Sequence, residues 1–306
     1  MTQFFPEGKL INTPSNIYSL SNINTLTEAM KNGDILESRA ILCDSNHNLH
    51  VDLNGIKGII PREEGAIGIK EGTTRDIALI SRVNRPVCFT VKEIIPLEND
   101  IKVILSRKSA QEKCKNEFLN KLNVGDIIDA KITHLEAFGA FADIGCGIVA
   151  LIPIDAVSVS RIEHPKERFS VGMDIKVIIK SFEGGKITLS HKELLGTWEE
   201  NVANFTAGET VAGVIRSVES YGIFVELAPN LAGLAESKAD AYEGQQASVY
   251  IKSIIPSRMK IKLIVIDAFD SVYKPKAPVY FYKENHISSF TYSPAGCSKQ
   301  IITHFI

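Results

Sequence analysis

Two short segments place aromatic rings on either side of a glycine, a spacing suited to stacking against nucleobases. Residues 138–141 read Phe-Gly-Ala-Phe and residues 221–224 read Tyr-Gly-Ile-Phe. Residues three apart on a regular strand face opposite sides, so we expect a bulge at the glycine to bring both rings to one face. Such a platform holds successive bases, each worth about 1–3 kcal/mol. The predicted ring positions are Phe138, Phe141, Tyr221 and Phe224.

Basic and imidazole side chains accompany these rings. Lys186 and Lys260 open the last strand of their repeats and could contact phosphate beside the rings, and Lys102 takes the same place in a first, diverged repeat. His134 precedes the rings of its own repeat and is expected to border the same face. These positions complete a candidate surface for a charged, base-bearing ligand.

In the first repeat, histidines replace the rings. His47 aligns with Phe138 and His50 with Phe141, while Asn48 stands at the glycine position. Asn tolerates a positive φ better than other non-glycine residues, so we expect a left-handed backbone there. The alternative is that all these aromatics are core residues. Exposure is favoured because a buried histidine needs polar partners, whereas an exposed imidazole stacks on bases.

The elements that must position these residues form three repeats. They begin at Gly33, Gly125 and Gly208, each followed by an acidic residue and β-rich sequence. About five short strands per repeat predict small closed barrels of the oligonucleotide-binding type. The predicted fold class is therefore all-β, with three tandem five-stranded barrels (OB-folds) joined by short α-helices and followed by a β-rich C-terminal extension.

Helical spacing and capping patterns divide the chain further. A capping box at Thr25 predicts a short helix ahead of the first barrel, and the aromatic-rich end predicts an appended β-hairpin. The predicted divisions are an N-terminal extension at 1–32, a diverged barrel at 33–109, a linker helix at 110–124, a second barrel at 125–191, a linker helix at 192–207, a third barrel at 208–266 and a β-rich tail at 267–306.

The second repeat carries an ordered set of motifs. It reads Phe-Gly-Ala-Phe-Ala-Asp at 138–143, Gly-Ile-Val-Ala-Leu-Ile at 147–152, Arg-Ile-Glu-His-Pro at 161–165, Val-Gly at 171–172 and Lys-Ile-Thr-Leu-Ser at 186–190. This set resembles the S1 RNA-binding domain, with a good match in the third repeat and a weak one in the first. The resemblance implies a barrel with an RNA face, the four rings as base contacts, and Lys186 and Lys260 where the family often has a basic residue.

Two departures from that pattern predict modest affinity in each repeat. The family often has histidine after the third strand, where this chain has Pro61, Pro153 and Glu236. It often has aspartate in the turn before the last strand, where Glu183 and Pro256 stand here. We expect these changes to keep the stacking surface and to remove some polar contacts.

Composition excludes several classes of function. The chain has 306 residues with 34 Lys and Arg against 36 Asp and Glu, so phosphate neutralisation alone does not predict nucleic-acid binding. No leader sequence and no run of about 18 apolar residues is found, which predicts a cytoplasmic protein without membrane contact. The five cysteines form no Cys-x-x-Cys pair and are expected to be inert thiols in a reducing compartment, with no metal site.

The sequence thus predicts a binding protein, not an enzyme. No nucleotide-binding loop and no nucleophile placed beside a histidine is found, so we expect no cofactor and no small-molecule substrate. The first hypothesis is single-stranded RNA or mRNA binding in translation, and the family resemblance adds the small ribosomal subunit as a partner. The alternatives are a regulator of mRNA decay or stress, and a protein-interaction scaffold that uses the same barrels.

Overall fold

A computed structural model describes residues 4–98, 101–237, 240–271 and 276–306. Residues 1–3 of the predicted N-terminal extension and 272–275 of the predicted tail lie outside the described residues. Three closed barrels of five strands follow one another, so the prediction of an all-β fold with three tandem barrels is confirmed. The limits drawn between domains stay a prediction.

The chain divides into two compact units, Met1–Leu122 with Asp143–Val149, and Asn123–Ala142 with Ala150–Ile306. Unit 1 contains the first barrel, whose strand order is β1-β2-β3-β5-β4. Its apolar side chains alternate with exposed ones along the strands and fill the barrel interior. The strands are β1 Leu36–Cys43, β2 Leu49–Leu53, β3 Ile56–Ile60, β4 Pro86–Pro96 and β5 Ile101–Ser106.

The described part of unit 1 has four α-helices: α1 Pro14–Ser19, α2 Ile23–Asn32, α3 Ile77–Ile80 and α4 Arg107–Glu117. The N-cap of α2 is Asn22, not Thr25 as predicted; the Asn22 side chain accepts hydrogen bonds from the backbone N–H groups of Asn24 and Thr25. Helix α4 starts at Arg107 because Ser106 caps it, which is earlier than the predicted linker at 110–124.

A buried polar cluster ties α4 to the N-terminal segment within unit 1. The Glu7 carboxylate accepts hydrogen bonds from Arg107 Nε at 2.7 Å and from the Cys88 backbone N–H at 3.1 Å. Beside it, the buried thiols of Cys88, Cys114 and Cys146 lie together. The described cysteines are all free thiols, and three of them converge although the sequence separates them widely.

Unit 2 contains the second and third barrels, with strand orders β10-β8-β7-β6-β9 and β11-β12-β13-β15-β14. In the third barrel, the third and fifth strands run parallel, which closes the sheet. The same parallel pairing joins β8 to β10 in the second. The strands are β6 Ile127–Glu136, β7 Gly139–Asp143, β8 Val149–Pro153, β9 Asp174–Glu183, β10 Lys186–Ser190, β11 Thr210–Glu219, β12 Gly222–Ala228, β13 Leu231–Ala235, β14 Gln246–Ile255 and β15 Lys260–Phe269.

The connector between these two barrels is not one helix over 192–207. It consists of a 3-10 turn, Lys192–Leu195, followed by α5, Trp198–Val202. Gly196 separates them with a φ of +86°, a conformation that an α-helix cannot contain. Thr197 then caps α5 through a capping box with Glu200.

The C-terminal tail is β-rich as predicted, but only part of its aromatic-rich sequence forms a strand. Strands β16 Ser289–Thr291 and β17 Ile302–His304 form an antiparallel pair. The aromatic run at 279–282 is not a strand, and Phe281 N–H donates instead to the Leu194 carbonyl at 3.0 Å. Ile287 and Phe305 pack against core residues of the second barrel, so the tail contributes to the core of unit 2.

Buried polar contacts join the second and third barrels. The Arg216 guanidinium of β11 donates two hydrogen bonds, of 2.9 and 3.2 Å, to the Glu226 carboxylate of β12. Arg168, from the connection between β8 and β9, donates to the same Glu226 carboxylate. These side chains are largely shielded from water, and the ion pair between Arg168 and Glu226 joins the second barrel to the third.

Candidate nucleic-acid interface

The ring pair of the third barrel lies at the junction of a turn and a strand. Glu219 pairs with Gly222, so Ser220 and Tyr221 form a two-residue turn between β11 and β12. The Tyr221 side chain is 68% exposed, and Phe224 on β12 is half-buried. The ring centroids lie 6.2 Å apart with an interplanar angle of 86°.

The predicted bulge at the glycine is wrong for this barrel. The shift in register falls between Ile215 and Ser217, which leaves Arg216 as the extra residue on β11. The rings meet because Tyr221 belongs to the turn, where strand alternation does not apply. Gly222 is required for another reason: its φ is +149°, and a Cβ there would lie 2.5 Å from the Ala235 carbonyl oxygen.

The second barrel repeats this arrangement. Phe138 lies in the turn between β6 and β7 and is 58% exposed, while Phe141 lies half-buried on β7. Their centroids are 5.9 Å apart at 87°. A Cβ at Gly139 would lie 2.4 Å from the Ile152 carbonyl oxygen, so only glycine allows the close approach of β7 and β8. The structure therefore brings together both predicted ring pairs.

His134 lies beside the second ring pair, as the sequence predicts. Its ring centroid is 6.3 Å from that of Phe141. The His134 Nε2 atom lies 2.6 Å from the Glu136 carboxylate on the same strand. This exposed pair gives the face a polar edge able to hydrogen-bond a base or sugar.

Strand register extends the face of the third barrel beyond the rings. Directly paired residues on neighbouring strands point to the same side of a sheet. The outward row of paired residues is Ser217, Phe224, Leu234, Lys262 and Ser253. The row brings an exposed apolar side chain and then a cation into line with the ring.

Lys262 is a candidate site residue that the sequence did not predict. The predicted cation, Lys260, is exposed two positions earlier on β15 and pairs with Ile255 at the end of the barrel. Alternation along Lys-Ile-Lys-Leu puts Lys260 and Lys262 on the same side of the strand. That alternation was visible in the sequence, but the pairing with Leu234 was not.

In the second barrel the corresponding row has no cation. Leu151 pairs with Thr188, and Thr188 pairs with Ser181. The predicted Lys186 is exposed at the hairpin between β9 and β10, where it faces Glu183 across the ladder. The hairpin turn, Gly184-Gly185, has two positive φ angles. In barrels of this type, strands two and three and this hairpin form the usual ligand face.

The first barrel differs at both predicted ring positions. His47 takes a φ of +61°, so the left-handed residue is His47 and not Asn48. The Asn48 side chain instead donates to Asp44 Oδ2 and accepts from Arg62 N–H at 3.0 Å each. His50 Nε2 lies 3.1 Å from Asp44 Oδ2. The structure does not bring the two histidines together as a stacked pair.

The face of the first barrel carries both acidic and basic side chains. Hydrogen bonds from Asn48 and His50 lower the pKa of Asp44 to about 2, so its charge persists at neutral pH. The outward row contains Leu42, His50, Ile59, Ile104 and Glu93. Lys102 is exposed near its end and pairs with Ile95. A cleft of about 590 Å³ on this barrel is lined by Arg62, Glu63, Glu64, Lys92 and Glu93, among others.

Other chemistries find little support in the described residues. No group of three or more His, Cys, Asp or Glu side chains in the described ranges is placed to hold a metal ion. No described helix is long and apolar enough to cross a membrane. The one fully buried histidine, His191, donates from Nδ1 to the Val157 carbonyl at 2.9 Å and packs edge-on against Phe169.

Comparison with known proteins identifies the second barrel. Residues 121–192 match the family model of the S1 RNA binding domain. The chain is 31% identical over 258 residues to the small ribosomal subunit protein bS1 of Staphylococcus aureus (strain COL), covering 78% of this chain and 63% of that protein. It is 29% identical over 249 residues to bS1 of Leuconostoc lactis, covering 76% and 56%.

The chain thus spans less than two thirds of the length of these relatives. Among solved structures, GSP13 from Bacillus subtilis is 33% identical over 23% of this chain and 55% of its own, with a TM-score of 0.21. The family match includes Phe138, in the turn after β6, and Phe141, on β7. Residues 121–192 are an S1 RNA-binding domain, and the chain is similar to bS1 proteins over 78% of its length.

Proposed function

We propose that this protein binds single-stranded RNA through the ring faces of its second and third barrels. The observation that carries the proposal is the exposure of Phe138 and Tyr221 beside a second ring, at equivalent turns of two barrels. A large aromatic side chain left in water at the same place twice has no packing role to explain it. Stacking of bases on such rings is sequence-tolerant and worth about 1–3 kcal/mol per base.

The joining of the second and third barrels in unit 2 strengthens this binding. The charge of the whole chain is nearly balanced, so electrostatic attraction alone is weak. Arg168, Arg216 and Glu226 fix the second and third barrels together. Once one face holds an RNA strand, contact with the second face becomes intramolecular, which raises the overall affinity without new contacts.

The relatives extend the proposal to a cellular role. Because the similar bS1 proteins are named as small ribosomal subunit proteins, we propose that this chain binds mRNA in translation, with the small ribosomal subunit as a partner in the cytoplasm. Its role is proposed to be binding, without catalysis. Co-sedimentation with ribosomal subunits on a sucrose gradient would support this role over regulation of mRNA decay or stress.

The direct test is a fluorescence-anisotropy titration of a labelled unstructured RNA. Phe138→Ala and Tyr221→Ala remove exposed rings, and each is expected to weaken binding by about 5- to 150-fold, the equivalent of 1–3 kcal/mol. The double variant Phe138→Ala/Phe141→Ala removes one platform entirely. Tyr18→Ala is the matched control, because Tyr18 is similarly exposed (64%) on α1 of unit 1. Equal binding by all these proteins would refute the proposal.

A second candidate, a protein-interaction scaffold, is favoured for the first barrel alone. There His50 is held by Asp44 and the outward row ends in Glu93, so the face lacks a ring pair and carries negative charge. Pull-down with and without ribonuclease separates the two candidates. Partners that survive nuclease treatment and are lost from a chain with Asp44→Asn/Glu93→Gln would support the scaffold.

A further inference from the structure

The fourth strand of each barrel carries one extra residue, and in all three barrels that residue is a lysine. In β9 the ladder to β10 passes from Ile179 to Ser181 and leaves Lys180 without a partner. In β14 it passes from Ile251 to Ser253 around Lys252. In β4 it passes from Val91 to Glu93 around Lys92. These three lysines, here called the bulge lysines, therefore occupy the same structural position in their barrels.

Strand geometry places the bulge lysines on the outer surface, next to the outward rows. In the third barrel Ile251, before the bulge, is buried in the core, and Ser253, after it, pairs with outward-facing Lys262. A bulge opposes two residues to one, so Lys252 lies on the outer side beside Ser253. The exposure of Lys252 agrees with this placement. Lys180 takes the corresponding place beside Ser181 and Thr188.

The bulge lysines differ in their charge partners. Lys92 Nζ lies 2.5 Å from Glu64 Oε1, and the other oxygen of that carboxylate accepts from Ser106 Oγ. Although burial opposes the shift, these hydrogen bonds hold the pKa of Glu64 below its usual value, so the pair stays charged. In contrast, Lys180 and Lys252 make no ion pair or hydrogen bond within the described ranges.

We infer that the bulge lysine is a phosphate contact whose availability decides which barrels hold the RNA backbone. Lys180 and Lys252 serve the second and third barrels, and Glu64 occupies Lys92 in the first. The inference rests on the proposed RNA binding. Phe224 and Lys252 lie on β12 and β14, which are not neighbouring strands of the closed barrel. The ring and the lysine therefore contact different nucleotides of one strand.

The test is the salt dependence of RNA affinity. For single strands, the slope of log K against log salt falls by about 0.7 for each phosphate contact removed. The double variant Lys180→Gln/Lys252→Gln is expected to reduce the slope by about 1.4. Lys92→Gln is the matched control and is expected to leave the slope unchanged. Glu64→Gln keeps an acceptor for Ser106 but releases Lys92, and is expected to steepen the slope by about 0.7.

The outcomes separate this inference from the proposed function. If the wild-type chain binds RNA and Phe138→Ala weakens it, but Lys180→Gln/Lys252→Gln keeps the wild-type slope, only the inference is overturned. An equal loss of slope in Lys92→Gln would also overturn the inference, because a lysine paired with Glu64 would then contact phosphate as well as an unpaired one does. Absence of RNA binding by the wild-type chain would overturn both. Since Lys252 is exposed and Lys180 half-exposed, thermal unfolding of the double variant should match that of the wild type.

Discussion

The side chain of Asn230 offers a quantitative test of how the second and third barrels are joined. Asn230 lies in the turn between β12 and β13 and is completely buried. Its Oδ1 accepts from Val159 N–H at 2.9 Å, and its Nδ2 donates to the carbonyls of Lys192 and Gly196 at 2.8 and 3.0 Å. Val159 belongs to the connection between β8 and β9 of the second barrel, and Lys192 and Gly196 belong to the connector between the two barrels. Asn230→Ala would therefore break three hydrogen bonds that hold the third barrel to the second barrel and to the connector.

The expected cost follows from these contacts. At about 1 kcal/mol for each hydrogen bond, the free energy of unfolding of unit 2 should fall by about 3 kcal/mol. For a unit of this size, that corresponds to a melting temperature lower by about 6–12 °C. The only tryptophan of the chain, Trp198, is buried in unit 2. Its emission during thermal or urea unfolding therefore reports on this unit alone.

The matched control is Asn204→Ala, which removes an exposed side chain with one long hydrogen bond of 3.5 Å to Asn201. This variant should melt within about 1 °C of the wild type. A second readout is the dependence of affinity on RNA length. Asn230→Ala should weaken the binding of an RNA long enough to reach both ring faces, and should leave the binding of a short oligonucleotide unchanged. If Asn230→Ala melted like Asn204→Ala, the joining of the two barrels through Asn230 would be refuted.

Three further predictions concern unit 2, and urea unfolding followed by tryptophan emission measures each. Gly139→Ala would bring a Cβ to 2.4 Å from the Ile152 carbonyl oxygen, so the free energy of unfolding should fall by about 1–3 kcal/mol. Wild-type stability in this variant would contradict the close approach of β7 and β8. Burial lowers the pKa of His191 to about 4, so this imidazole takes up a proton more readily in the unfolded chain. The free energy of unfolding should therefore drop by about 2 kcal/mol between pH 7 and pH 5. A drop of the same size in His191→Gln would refute the assignment of this pH dependence to His191. Glu226→Ala should cost about 3–5 kcal/mol because Arg168 is left buried without its partner, and a cost under 1 kcal/mol would show that the pair is dispensable.

Local pattern was enough to predict the repeats and their rings. The glycine between the rings marks the start of the second strand in both barrels, so the aromatic positions could be aligned without a structure. The reason given for that glycine was wrong, since a turn and not a bulge joins Tyr221 to Phe224. The sequence shows that a glycine is needed, but whether for a bulge or for close approach depends on the neighbouring strand.

Contacts between distant residues could not be predicted. The pairing of Lys92 with Glu64 joins positions far apart in sequence, and it changes the charge available on the first barrel. Lys262 enters the ring face only through its pairing with Leu234. Similarly, the apolar spacing of residues 192–207 predicts a continuous helix, but the positive φ of Gly196 interrupts it. These features depend on tertiary packing, which neither spacing nor composition encodes directly.

Fluorescence from a tryptophan placed on the ring face tests the central claim most directly. In a Trp198→Phe background, Tyr221→Trp puts the single indole at the exposed turn of the third barrel. Stacking of a base on that indole should quench its emission, with saturation at the same RNA concentration as the anisotropy change. Binding seen by anisotropy while the Tyr221→Trp emission stays constant would show that RNA lies elsewhere on the protein.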